Sequence, residues 1–384
     1  MRSDVDAVVV GAGIVGAATA LALTRAGARV VVLDRSAPNA GGSGATAGNL
    51  HIQTIHTRRP GQGVAVDVRQ LLPLQARTST LWNELDDSVP DLGLARCGGF
   101  MVAETEDQVR TLEAKHHWEL AAGIPTEVLT GREARRLLPT LGPSVEAATW
   151  CPLDGFAEPD LAGPALLRQA EAEGAEVRSH HPVTGLDRVG DEWAVTTPAI
   201  TLTAPVVIDV AGPWMAGIAS MAGVSMNLRP TALQMHALDA PPDTLGVLVQ
   251  HVGEGMSIKQ DRRGRLVLGG GWPAGEFHDT DAATPLPEST SGNLAQIERL
   301  LPSLAALPLT DTWTGPVLTT PDEMPVIGPV DGAPGLLVAG GTYSFTFAPL
   351  WAQLLTAMVR GHEPDLDVGA FSPARLTAVA EHGR

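Results

Sequence analysis

Lysine is almost absent from this 384-residue chain: only Lys115 and Lys259 occur among 26 basic residues. A Schiff-base enzyme would have to use one of those two, which disfavours that class. Cysteine is as scarce, with Cys97 and Cys151 too few for a disulfide scaffold or a four-cysteine zinc site. That scarcity fits a reducing, cytoplasmic setting. Positive charge is also in deficit. Acidic residues number 43 and the net charge is −17, which argues against nucleic acid or an anionic membrane as the main partner. Aromatic residues make up 4%, and Tyr343 is the one tyrosine. The serines show no nucleophile-elbow pattern, so serine hydrolysis is disfavoured. Glycine (42) and proline (30) are plentiful without a repeat, as in an α/β or α+β enzyme of many tight turns. Hydrophobic residues at 44% against 18% charged exclude global disorder, and the length allows two or three domains.

Ala7 to Leu23 carries no charge and imitates a leader or a short membrane span. Asp4 and Asp6 precede it where a leader would be positive. The stretch also changes period. Ala7-Val8-Val9-Val10 suits a buried parallel strand, Gly11 to Gly16 is a turn, and Ala17 to Ala26 is an Ala/Leu-rich helix closed by Gly27. Arg29 to Asp34 follows as a second strand. This is a βαβ unit, so no membrane span is expected. Gly11 permits the tight turn, Gly13 the approach of a pyrophosphate, and Gly16 close packing of helix on strand. The helix N-terminus, with Ile14 and Val15, offers N–H groups and a positive dipole to phosphates. Asp34 is placed to accept ribose hydroxyls, which makes NADP the least suited dinucleotide.

Beyond Arg35 the chain does not continue as a further NAD-type repeat. It runs through Gly41-Gly42-Ser43-Gly44-Ala45-Thr46-Ala47-Gly48 and then Asn49-Leu50-His51-Ile52-Gln53. Such a loop suggests backbone lying along an extended cofactor. Here the sequence resembles the D-amino-acid-oxidase-type FAD-dependent oxidoreductase superfamily, in its glycine oxidase, opine oxidase and cyanide-forming glycine dehydrogenase branch. The resemblance extends through Asp154-Gly155-Phe156-Ala157-Glu158-Pro159, Ala211-Gly212-Pro213-Trp214, Thr320-Pro321-Asp322-Glu323-Met324-Pro325 and Leu336 to Gly341. Met256 to Gln260 and Leu266 to Gly270 resemble paired strands of the substrate domain, turned by Arg262-Arg263-Gly264-Arg265.

The resemblance implies an α/β fold: a glutathione-reductase-like FAD-binding Rossmann domain interleaved with an α+β substrate domain on an antiparallel sheet. The FAD domain would use residues 1–90, 146–216 and 311–384, and the substrate domain 91–145 and 217–310. It also implies non-covalent FAD. The implied cofactor set comprises Gly11, Gly13, Ile14, Val15, Gly16, Asp34, Arg35, Gly42, Ser43, Ala47, Gly48, Asn49 and Leu50. It continues with Val183, Ala211, Gly212, Trp214, Gly315, Gly340, Gly341, Tyr343, Ser344, Phe345 and Thr346. A helix from about Ala348-Pro349 would point its N-terminus at the flavin.

His51 and Tyr343 are the candidate catalytic residues, and they join Arg58, Arg229, His236 and Val317 as the substrate-side candidates. His56 and His251 belong to the same presumed region. His116-His117 and His180-His181 are read as solvated surface pairs, and no metal is expected. Two departures from the family matter: the stretch Gly341 to Phe347, where relatives commonly place more glycine, and the segment that follows Trp313. The family's Trp-x-Gly-Leu-Arg-Pro segment pairs an arginine with an amino-acid carboxylate, whereas this chain reads Trp313-Thr314-Gly315-Pro316-Val317-Leu318. Valine supplies no bidentate fork. Arg58, Arg59 or Arg229 then takes that task, or the substrate lacks an accessible carboxylate.

The implied reaction is oxidation of a C–N bond by hydride transfer to flavin, giving an imine, with oxygen or another carrier as electron acceptor. Alternatives are oxidative tailoring of a larger non-amino-acid substrate, or a flavoprotein component of a multi-subunit dehydrogenase. A homo-oligomer or a heteromeric partner is compatible with either. A plain NAD-dependent dehydrogenase and a non-catalytic FAD-binding component are the rivals from other classes.

Overall fold

The computed structural model describes residues 4–53, 68–278 and 283–377. The β-branched run Ala7–Val10 forms strand β1, helix α1 spans Ile14–Arg25, and Val30–Leu33 is strand β2. The helix begins three residues earlier than the sequence expectation, directly after Gly13. Gly27, at φ 85°, follows it, and the Ala28 N–H reaches back to the Leu23 carbonyl. Six strands form the first sheet, in the order Val326–Pro329, Leu336–Gly340, Val206–Asp209, β1, β2, Glu176–Arg178. All pairs are parallel except the first, which is antiparallel.

Both faces of this sheet are covered, which is why β1 and β2 need apolar residues at every position. Ala7, Val9, Val30 and Val32 pack with α1, the helix Pro159–Ala172 and the C-terminal helix Ser344–Val359. Val8, Val10, Val31 and Leu33 face the helix Met215–Met221 and a three-stranded antiparallel sheet over residues 185–204.

The second sheet has eight strands, in the order Leu309–Thr319, Arg229–Leu238, Leu266–Gly269, Ser257–Gln260, Leu248–His251, Gly99–Ala103, Ala147–Cys151, Glu127–Thr130. It is antiparallel apart from the Leu248–His251 and Gly99–Ala103 pair. Leu266–Gly269 and Ser257–Gln260 pair as expected around a turn in which Gly264 has φ 84°. One side of the sheet buries Phe100, Val102, Val249, Ile258 and Leu268 against the helix Pro287–Leu300. Two strands join this sheet from segments that the sequence reading places mainly on the FAD side. Ala147–Cys151 and Leu309–Thr319 lie in the eight-stranded sheet, although most of their residues fall in segments assigned to the FAD side. Among the described residues, no helix is long and apolar enough to cross a membrane.

Candidate functional site

A continuous cavity of about 1000 Å³ runs from the β1–α1 turn to the eight-stranded sheet. That volume lies at the upper end for small-molecule and cofactor sites. At one end, Gly11 holds φ 110°, and a Cβ there would lie 2.8 Å from the Val210 carbonyl oxygen. Gly13 precedes α1 and brings no capping side chain of its own; Ser43 supplies one, its Oγ accepting the Ile14 N–H at 2.9 Å. The Gly42–Ala45 turn of helix thereby ties the glycine-rich loop to the helix terminus. Asp34 follows β2 and organises the same corner. Its Oδ2 accepts the Ala12 N–H at 2.7 Å, and its Oδ1 accepts the Ser36 N–H at 2.8 Å. A carboxylate has about four acceptor sites, so further lone pairs remain for ribose hydroxyls.

The far wall is built from other elements. Trp214 carries the Arg35 guanidinium over its ring, 3.7 Å from the centroid. Tyr343 takes left-handed angles, φ 62° and ψ 14°, immediately before the C-terminal helix. That conformation costs a non-glycine residue ~1–2 kcal/mol. The helix starts at Ser344, four residues before the expected Ala348, and Pro349 lies inside it. Thr346 is fixed from behind, its carbonyl accepting from Trp82 Nε1 at 2.7 Å and Thr78 Oγ1 at 3.0 Å.

His51 lies at the sheet end of the cavity, edge-on to Tyr343 with ring centroids 6.3 Å apart. It is half-buried on the cavity wall, and burial pulls the imidazole down to about 4. His51 Nδ1 lies 2.7 Å from Gln250 Oε1, and Gln250 Nε2 donates to Asp154 Oδ2 at 3.1 Å. Gln250 carried no site signal in the sequence, and Asp154 entered only as the first residue of a family-like stretch, without a role of its own.

Most candidates meet here. The cavity wall includes Gly11, Gly13, Ile14, Val15, Asp34, Arg35, Gly42, Ser43, Ala47, Asn49, His51, Val183, Ala211, Gly212 and Trp214. It also includes Val317, Gly340, Gly341, Tyr343, Ser344, Phe345 and Thr346. Four further candidates shape the wall from behind. Gly16, Gly48 and Gly315 are close-packing positions, where a Cβ would fall 1.9 Å from Gly11 O, 2.0 Å from Ala157 O and 2.8 Å from Ala45 Cβ. Leu50 is buried in a short strand against Gly155.

Two substrate-side candidates lie off the cavity wall. His236 does not line the cavity; it is buried within its strand and bonded to Thr312 Oγ1 at 3.1 Å. Arg229 is exposed at the start of that strand, opposite Thr319, and also lies off the cavity. Arg58, Arg59 and His56 fall outside the described residues. His181, expected on the surface, lines the cavity beside Val183, and His251 lines it too. Glu104, His251 and Glu254 gather ligand atoms within 4.8 Å of one another. Arg299 already pairs with both carboxylates, and the Glu254 N–H donates to His251 Nδ1 at 3.1 Å. The neutral ring then carries its proton on Nε2, where a metal would need a lone pair.

FAD fits this cavity. Asn49 Oδ1 and Trp214 Nε1 are buried on its wall without a partner among the described residues, as groups awaiting a polar ligand would be. The glycine cradle, helix terminus and Asp34 meet the requirements of a pyrophosphate and ribose. Asp34→Ala is expected to weaken FAD retention roughly ten- to hundredfold, the worth of charge-assisted hydrogen bonds of ~1.5–3 kcal/mol. Titrating apoprotein with FAD measures it; an unchanged Kd would confine Asp34 to its bonds with Ala12 and Ser36.

Asp209 ends the central strand beneath this wall. It is fully buried, and its Oδ1 accepts the Ala211 N–H at 3.0 Å. Burial, only partly offset by that bond, pushes the carboxyl from 3.8 up to about 8. Between those values the unfolded chain releases a proton that the fold retains, so the contribution of this group to stability falls as pH rises. Asp209→Asn removes the titration. Its melting midpoint is expected to gain on the unmodified protein between about pH 5 and about pH 8. A gap that does not widen would show Asp209 ionised in the fold.

Comparison with known proteins agrees with this architecture. The chain is 27% identical over 381 residues to a glycine oxidase of Geobacillus kaustophilus, covering 98% of each protein. It is 24% identical over 383 residues to a component of the opine oxidase of Agrobacterium tumefaciens, one named as a subunit, again covering 98% of each. The crystal structure of L-proline dehydrogenase from P. horikoshii superposes with a TM-score of 0.87, at 23% identity and 98% coverage of both chains. The family model described as FAD dependent oxidoreductase (DAO) matches residues 6–358, and the chain belongs to that family.

Proposed function

We propose that this FAD-dependent oxidoreductase oxidises a C–N bond of an amine or amino-acid-derived small molecule, giving an imine that water hydrolyses. One observation carries the reading: a single cavity joins the dinucleotide cradle at Gly11 and Asp34 to a chamber walled by His51, Tyr343, Met235 and Val317. The names of the similar proteins, glycine oxidase and opine oxidase, support the same reaction class. FAD, held without a covalent link by the cradle, the Gly42–Ala47 loop and the wall around Trp214, supplies the hydride acceptor.

The chain's residues bind and orient. His51 is uncharged at neutral pH, so it does not repel an amine, and it can accept an N–H hydrogen bond. Met235 and Val317 give the chamber apolar walls that exclude water around the reacting carbon. The positive end of the C-terminal helix, reached through Tyr343 and Ser344, favours negative charge arising beside it. The opine oxidase relative is named as one component of a larger enzyme, which supports a heteromeric partner as part of the same proposal.

The test is anaerobic mixing of the yellow holoprotein with a panel of primary, secondary and N-substituted amines. Bleaching of the visible flavin band by at least one of them is the expected result. A flavin that no amine bleaches, but that a hydroxy acid does, would overturn the assignment.

A further inference from the structure

We propose that Gln250 and Asp154 are positioning residues that hold His51 in one tautomer, with Nδ1 protonated, so that Nε2 offers a lone pair toward the cavity. The substrate amine as donor to that lone pair rests on the function proposed above. The tautomer does not.

The argument follows the direction of each hydrogen bond. Asp154 is fully buried, and both of its oxygens accept from N–H groups. Its Oδ1 accepts from the backbone of Ile52 at 2.8 Å and of Gln53 at 2.9 Å. Its Oδ2 accepts from Gln53 Nε2 at 2.8 Å and Gln250 Nε2 at 3.1 Å. Burial pushes the carboxyl up to about 7, and these four donors favour its charged form against that penalty. Ionised above about pH 7, where the NMR below is read, the carboxylate only accepts, and this fixes which way the Gln250 amide points. Its NH₂ must face Asp154, so its Oε1 must face His51. Oε1 only accepts, hence His51 Nδ1 carries the proton at the 2.7 Å contact. A neutral imidazole has one proton, so Nε2 is left as an acceptor.

Gln53 is locked in the same way, its Oε1 accepting from Thr149 Oγ1 at 2.7 Å and its Nε2 also reaching the Gly99 carbonyl at 3.1 Å. The backbone of His51 is clamped too. Its N–H donates to Thr346 Oγ1 at 3.3 Å, and its carbonyl accepts from Gln75 Nε2 at 3.2 Å. With ring, backbone and tautomer all set, the acceptor is pre-aimed before any ligand arrives.

The decisive variant is Asp154→Asn, which keeps an oxygen for the Ile52 and Gln53 backbones but turns a donor toward Gln250 and toward Gln53 Nε2, whose amide stays oriented by Thr149 and the Gly99 carbonyl. The Gln250 amide must then flip, its NH₂ must face Nδ1, and the proton must move to Nε2. Nitrogen-15 NMR of histidine-labelled holoprotein reads this directly, with the His51 signals assigned by their loss in His51→Asn. The unmodified protein is expected to show a pyrrole-type Nδ1 and a pyridine-type Nε2, and Asp154→Asn the reverse. Its kcat/KM for the best amine should fall about tenfold or more, the worth of one lost acceptor, with FAD content unchanged.

Should Asp154→Asn not fold, Gln250→Met serves. It removes the Oε1 anchor, and Nε2–H should then predominate. An unmodified ring protonated on Nε2, or a ring still protonated on Nδ1 in the variant that folds, overturns the proposal. An inverted tautomer with undiminished kcat/KM overturns the role of Nε2 in binding. If no amine bleaches the flavin while the tautomers behave as stated, the reaction assignment fails and the positioning stands.

Discussion

Gly16→Ala is expected to yield protein that is largely insoluble, or folded without bound flavin. An alanine Cβ at this position would lie 1.9 Å from the Gly11 carbonyl oxygen and 3.3 Å from Val210 Cγ2. The first of these is backbone in the turn that forms the cradle, so no rotamer change relieves the clash. Helix α1 would have to move away from β1, opening the most buried layer of the six-stranded sheet. Overpacking a core by one methyl costs about 1–3 kcal/mol where neighbours can adjust, and more where they cannot. The same movement withdraws the helix terminus from the pyrophosphate position, so FAD affinity should drop at least about a hundredfold. Gly13→Ala is the instructive contrast. There the Cβ would meet Ser43 Oγ at 2.8 Å, the tip of a side chain able to rotate away. It should retain the fold and lose only part of its flavin affinity. The ratio of flavin to protein absorbance after gel filtration checks both variants. Gly16→Ala protein with a full flavin complement would show that the turn has more slack than its geometry allows.

That corner of the molecule was legible in the sequence because it is local. Strand, turn, helix, second strand and terminal acid all lie between Ala7 and Asp34, and each residue acts on near neighbours. Even there, the bonds from Ala12 and Ser36 to Asp34 came only from the structure. Contacts distant along the chain were the illegible part. His51 could be singled out by its place after the glycine-rich loop, but its partners Gln250 and Asp154 come from different strands and loops. Nothing in the local sequence of Gln250 marks it, and the family-like stretch that begins at Asp154 does not say what that carboxylate faces. His236 and Arg229 lie off the cavity for a related reason. Both belong to the strand Arg229–Leu238, and which residues of a strand face a cavity depends on register and sheet order. Tyr343 shows a third limit. A left-handed residue is expected to be glycine, so a tyrosine in that conformation gives no sign that the helix begins at the next residue.

Simple α-amino acids such as glycine are expected to be poor substrates, with kcat/KM at least tenfold, and up to about a hundredfold, below that of a bulkier amine or one without a free carboxylate. The argument rests on which cations reach the cavity. Val317 lines it where the resemblance implies an arginine fork, and its side chain cannot bind a carboxylate. Among the described residues, Arg35 is the one arginine or lysine on the cavity wall, and its guanidinium is stacked on Trp214. Arg229, the described alternative, is exposed and off the cavity. A carboxylate buried beside Val317 would therefore be desolvated without a counter-ion among the described residues, a penalty of several kcal/mol. Val317→Arg restores the fork at the strand position opposite Thr231. It should raise activity on small free amino acids roughly ten- to hundredfold and lower activity on amines that lack the carboxylate. If Arg58 or Arg59 already holds a carboxylate, the new arginine will add nothing, and crowding with like charge will slow turnover. Comparing glycine, sarcosine, D-alanine and larger N-substituted amines on both proteins separates the two cases. Efficient turnover of any small free amino acid by the unmodified protein would mean that a cation other than one at position 317 completes the site.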